Sequence, residues 1–112
     1  MSLNSNLGEL KYSSDGLAPF SDRVSIVSGG YCKIGDCIFV DMKFKTNIEL
    51  PIGYAILTGL PKTNSNWSII GFSESIIYKT AISTNSEYLS IYETKIPSNT
   101  TVHLIGSYDT SM

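Results

Sequence analysis

The residues able to do chemistry are few. The chain has one histidine, His103, two cysteines, Cys32 and Cys37, one tryptophan, Trp67, and ten carboxylates. A Ser–His–Asp hydrolase would need His103 beside a serine and a carboxylate, with the serine on a G-x-S-x-G elbow. The nearest run, Gly71-Phe72-Ser73-Glu74-Ser75, lacks the closing glycine and falls between two strand-like runs, where the elbow needs a strand-to-helix turn. In its alternating run, His103 reads as a surface or subunit-interface residue. Two thiols and one imidazole also fall short of a four-ligand zinc site. No glycine loop of the phosphate-cradling kind occurs, and no spacing brings two carboxylates together as a glycosidase requires. The expectation is a protein that catalyses nothing and holds no cofactor or metal.

Cys32 and Cys37 flank a hairpin turn at Gly35-Asp36, so strand alternation decides where their sulfurs point. A two-residue loop would set Lys33 against Ile38 and push an ammonium toward the core. A loop one residue longer sets Cys32 against Ile38 instead. Burying a thiol costs far less than burying a charge, which favours the longer loop. Cys32 is therefore expected in the core and Cys37 outside, with no disulfide, since sulfurs on opposite faces cannot meet.

The aromatic residues are the remaining chemical resource. Trp67 follows Asn64-Ser65-Asn66, and an aromatic face beside amides is what a pyranose needs, one to stack its C–H face and the others to bond its hydroxyls. The competing role for Trp67 is to plug the end of the fold, since tryptophan is highly buried on average. Tyr88 and Tyr92 should share a face with Ser90, opposite Leu89 and Ile91. Such a pair could serve as a binding platform, a subunit contact or simple cross-strand packing. Trp67, Asn64, Asn66, Tyr88 and Tyr92 are the candidate ligand-binding residues, while Tyr54 and Tyr78 read as core-rim residues.

The elements that must position these residues are strands. Cys37-Ile-Phe-Val-Asp-Met-Lys-Phe-Lys-Thr46 alternates Ile38, Val40, Met42 and Phe44 against Asp41, Lys43 and Lys45. That is the pattern of a strand with one buried and one wetted face, found in antiparallel sheets. Further short runs recur between Gly, Pro, Asn and Ser punctuation: 23–28, 31–34, 54–58, 68–73, 76–83, 88–93 and 101–108. No stretch shows a convincing helical period. Seven or eight such strands predict an all-β antiparallel sandwich, jelly-roll-like, without substantial helix. Residues 1–22 form a polar lead-in carrying Leu3, Leu7 and Leu10, a possible oligomer contact, and 23–112 form a single domain. The last strand, Thr101–Tyr108, has apolar residues on both sides, so either both faces are covered or the outer one meets another subunit. Gly106 marks a bulge or a close backbone approach.

At 112 residues the chain is one domain, long enough to build a core without metal or disulfide. Charged residues make up only 16 % and the net charge is −2. Nucleic acid is thereby disfavoured as a partner, because phosphate binding needs a basic face and the lysines and arginines are scattered. No apolar run reaches the roughly 18 residues of a membrane span, and the first 22 residues lack the pattern of a signal peptide. The surface is neutral and rich in hydroxyls and amides.

One ordered set of features carries a resemblance. Lys33-Ile34-Gly35-Asp36 precedes the long alternating strand; Leu50-Pro51-Ile52-Gly53-Tyr54 and Leu60-Pro61 follow. Then come Tyr88-Leu-Ser-Ile-Tyr92, Ile96-Pro97-Ser98-Asn99-Thr100-Thr101 and the closing Gly106-Ser107-Tyr108. Over roughly Ser25 to Thr110, about three quarters of the chain and a domain-sized span, this resembles the C-terminal head domain of tail-fibre and baseplate receptor-binding proteins from tailed phages and prophages of Gram-positive hosts. The resemblance implies a homotrimer at a fibre tip, contact with other tail or baseplate proteins, a place in the virion, and adhesion to host cell-wall saccharide without a cofactor. Two features depart from that pattern: Leu60-Pro61 stands where a proline would follow the Gly-Tyr step sooner, and only about twenty residues precede the head span. A purely structural trimerising module and a polysaccharide hydrolase on the same fold are the alternatives.

Overall fold

The alternation of residues 37–46 is what the structure has. Ile38, Val40, Met42, Phe44 and Thr46 are buried, whereas Lys43 and Lys45 are exposed. The computed structural model describes residues 12–63, 65–84 and 86–110. Eight strands follow one another: β1 (Ala18–Pro19), β2 (Val24–Ile34), β3 (Cys37–Thr46), β4 (Ala55–Thr58), β5 (Trp67–Ser73), β6 (Ile76–Ile82), β7 (Leu89–Tyr92) and β8 (Thr101–Asp109). They form a single antiparallel sheet in the order β1-β4-β7-β6-β5-β8-β3-β2. Its two edge strands, β1 and β2, approach one another, so the sheet curls into a nearly closed, two-layered shell. The all-β class expected from the alternation is thus the observed one.

The closed shape follows from which residues each strand turns inward. Phe44, Val40 and Met42 of β3, Val102, Leu104 and Tyr108 of β8, Ile69 of β5, Ile82 of β6, Leu89 and Ile91 of β7, and Ile56 and Leu57 of β4 fill one core. Side chains of this size each contribute on the order of 1.5–3 kcal/mol when fully buried. Gly71 makes room within that core: a Cβ there would sit 2.8 Å from Val102 Cγ1 and 3.0 Å from Leu104 Cδ2. At Gly106 the register with β3 runs unbroken, and a Cβ would come 3.2 Å from Ile69, so this glycine marks a close approach and no bulge. The buried hydroxyls are bonded. Thr46 Oγ1 donates to Pro97 O (2.6 Å), Thr63 to Asp109 O (2.6 Å) and Thr80 to Ile69 O (2.7 Å).

The structure corrects three expectations. Residues 23–28 and 31–34 belong to one strand, β2, with a register irregularity between Ile26 and Ser28. Part of the lead-in is built into the sheet: Ser13 bridges Tyr31, and Ala18–Pro19 pairs with Thr58 and Leu57 as β1. The Leu3/Leu7/Leu10 stretch lies outside the described residues.

The third correction concerns the hairpin. Ile34 pairs with Cys37 and Lys33 with Ile38, so the loop has two residues and Cys32 faces outward opposite Phe39. Gly35 at φ +61° occupies the first central position of the turn. A turn with glycine there matches the twist of the flanking strands, which favours the two-residue closure. Thr110 reinforces it, donating from both its backbone N–H and its hydroxyl to Asp36 O. The feared burial of Lys33 does not occur, because β2 is an edge strand and the residue lies beside the turn, where its amine reaches water. Cys32, expected in the core, is only partly buried, as is Cys37; both are free thiols on the outer face.

Candidate functional site

Three exposed aromatic side chains converge where β1, β4 and β7 meet. In β7 the alternation turns Leu89 and Ile91 inward and Ser90 outward, with Tyr88 exposed just ahead of them. Phe20 follows Pro19 of β1, and its N–H donates to Ile56 O (3.1 Å), which fixes it beside β4. Its ring meets that of Tyr88 edge to face, with centroids 5.3 Å apart and planes at 87°. That is the preferred geometry for two aromatic quadrupoles. Tyr54 precedes β4, and the Arg23 guanidinium lies 5.1 Å from its ring centroid. Arg23 is held there by donation from Nη1 to Glu49 O (2.7 Å).

Together Phe20, Tyr54 and Tyr88 line a depression of about 480 Å³, completed by Ser83, Ser86, Ser90 and short backbone at Gly53 and Ala55. Among the described residues, no charged side chain lines it. The Ser86 hydroxyl accepts from Tyr88 N–H (3.0 Å), which holds the tyrosine's backbone at the rim. A second depression of about 570 Å³ lies on the other side of Phe20, where Asp22, Ser25 and Asn47 meet. Asn47 Nδ2 donates to Asp22 O and to Ser25 Oγ, tying that wall together. Arrangements of this kind bind uncharged polar rings: aromatic faces take C–H surfaces and hydroxyls take hydroxyls.

The candidates named from sequence separate in space. Tyr88 lies in the cleft. Tyr92 shares its outward side, but its hydroxyl is hydrogen-bonded to Ser68 Oγ (3.0 Å) and its ring sits beside Lys79 in the middle of the sheet. Trp67 opens β5 opposite Ile82, on the inward column with Ile69, yet is 37 % exposed. It therefore covers the end of the core and does not share a face with Tyr88. Asn66 is a structural staple, its Oδ1 accepting from Thr84 N–H (2.8 Å) and Oγ1 (3.0 Å). Asn64 lies outside the described residues. Phe20 lies in the stretch that reads as a lead-in, although Ala18-Pro19-Phe20 is an apolar break in otherwise polar sequence. Tyr54, expected at the core rim, is about half exposed.

His103 is paired with Asp41, Nε2 to Oδ1 at 2.6 Å, and its ring lies 5.3 Å from that of Phe72. Neither residue lines a depression beside Phe20. Among the described residues no group of three or more His, Cys, Asp or Glu side chains could hold a metal ion. Comparison with known proteins yields no matching family model and no matching curated protein.

Proposed function

We propose that this domain is a non-enzymatic adhesion module that binds neutral surface saccharide in the Phe20–Tyr54–Tyr88 cleft, as the receptor-binding head of a phage or prophage tail. The convergence of three exposed aromatic rings with three serines, in a cleft lined by no charge among the described residues, carries the adhesion reading. The resemblance in the sequence supplies its tail context and its three-fold assembly. A shallow cleft of this kind binds weakly, and several heads presented together raise the effective affinity by avidity.

Hydrolysis of the saccharide is less well supported. Glycosidases work with two carboxyl groups across one bond, whereas the two depressions flanking Phe20 offer, among the described residues, a single carboxylate, Asp22.

Binding to host cell-wall fragments and to a glycan array tests the proposal. Tyr88→Ala and Phe20→Ala should each weaken binding about tenfold, the loss of one stacked ring, with an unchanged circular-dichroism spectrum. Trp67→Ala should leave affinity nearly intact. A folded protein that binds no host envelope and no glycan would count decisively against the reading.

A further inference from the structure

The cleft is not an isolated hollow. It shares Phe20 with the depression beside Asp22 and Asn47, and it shares Ser86 and Tyr88 with a third depression of about 330 Å³, completed by Lys62 and Glu87. Hydrogen bonds place that third depression at the far end of β4. Glu87 Oε1 accepts from the hydroxyl of Thr58 (2.9 Å), the last residue of β4, and Glu87 O accepts from Leu60 N–H (3.4 Å). Tyr54, which lines the cleft, precedes the other end of the same strand. Four residues of extended chain set Tyr54 and Thr58 about 13 Å apart. Three depressions joined by shared walls thus make one groove, longer than a single sugar ring.

The aromatic geometry sets the smallest ligand that uses it. The planes of Phe20 and Tyr88 stand at 87° to one another. A sugar ring stacks through one C–H face on one aromatic face, and it cannot lie flat on two surfaces at right angles. Engaging both aromatic residues therefore takes two sugar units. Each end of the groove then adds a charged side chain, Asp22 beyond Phe20 and Lys62 beyond Tyr88. Among the described residues neither of them joins an ion pair. Hydrogen bonds between a charged group and a neutral hydroxyl are stronger than those between two neutral groups. We propose that the groove holds a linear run of three or four linked neutral sugar units, an inference that rests on the saccharide reading. Two units stack on Phe20 and Tyr88, and the flanking hydroxyls bond to Asp22 at one end and to Lys62 at the other. The ligand class is thereby a stretch of polysaccharide and not a single sugar.

A length series tests the groove. The probes are the glycan-array compound that binds the chain and its homologues of one to six units, titrated by calorimetry into the whole chain. Affinity should rise at least about tenfold from one unit to four and then level off. Asp22→Ala and Lys62→Ala replace exposed side chains, so both variants should fold. Each should weaken the four-unit ligand about tenfold, the loss of one charge-assisted bond, and leave the shortest ligand that binds within about twofold. Equal affinity along the series overturns the extended groove and leaves the cleft itself standing. So do end substitutions that weaken short and long ligands alike, or neither. A folded chain that binds no glycan of any length overturns the saccharide reading, and this inference with it.

Discussion

Tyr108 ties the last strand to the loop after β4 through one hydroxyl, donated to Pro61 O at 2.7 Å with the ring in the core. Burial first, and the nearby Tyr31 second, push its ionisation well above the usual tyrosine value of 10.0. A phenol harder to ionise in the folded than in the unfolded chain stabilises the fold fully below that value. The contribution falls as pH rises above it, because the unfolded chain then releases the proton that the folded chain keeps. Tyr108→Phe should cost about 1 kcal/mol at neutral pH, the net worth of one hydrogen bond. It should also flatten the loss of stability above about pH 10. Urea unfolding at pH 7 and above pH 10 reads both effects. Tyr78, raised by burial alone, leaves some alkaline sensitivity in the variant. Equal alkaline slopes in the two proteins would show that Tyr108 does not carry the effect.

At the scale of elements, the cleft depends on how β1 is fastened, and that fastening is a contact between backbones. Gly59, just past β4, has φ +99°, and a Cβ on it would run into the Gly16 carbonyl. Glycine is required there twice over, for its left-handed backbone and for the space. Gly59→Ala should lift residues 16–20 from β4 and separate Phe20 from Tyr88. Stability should drop by about 1–3 kcal/mol, the range for strained backbone. Saccharide binding should fall as far as it does for Phe20→Ala, and near-ultraviolet circular dichroism should report the loss of ring contact. Retained binding would mean that Phe20 is placed by other means. The alternation of β3, β7 and β8 was legible because one wetted and one buried face leave a period of two in the sequence. β1 was not legible, since two residues have no period. The hairpin register is not legible for a physical reason: the cost of burying Lys33 favours a longer loop only in a covered strand, and β2 is an edge, where that burial does not arise.

For the whole molecule, the antiparallel all-β class could be read from the sequence, but the single, nearly closed sheet and the site could not. Phe20, Tyr54 and the 83–90 stretch are far apart in the chain and meet only because β1 and β7 both flank β4. No local motif records that meeting, so Tyr88 alone among its aromatic residues carries a local signal. The same arrangement fixes how binding should respond to salt. The cleft is lined by rings and hydroxyls, with the Arg23 guanidinium directed at the Tyr54 ring. Stacking and hydroxyl bonding to a neutral sugar involve no long-range charge. Affinity should therefore change less than twofold between about 0.05 and 0.5 M salt, a range over which screening shortens the reach of exposed charges roughly threefold. Titrating saccharide fragments by calorimetry at each salt concentration reads this response. A binding constant that falls steeply with salt would mean that the ligand is an anion or a cation, and Arg23 or Asp22 would then become the residue to substitute.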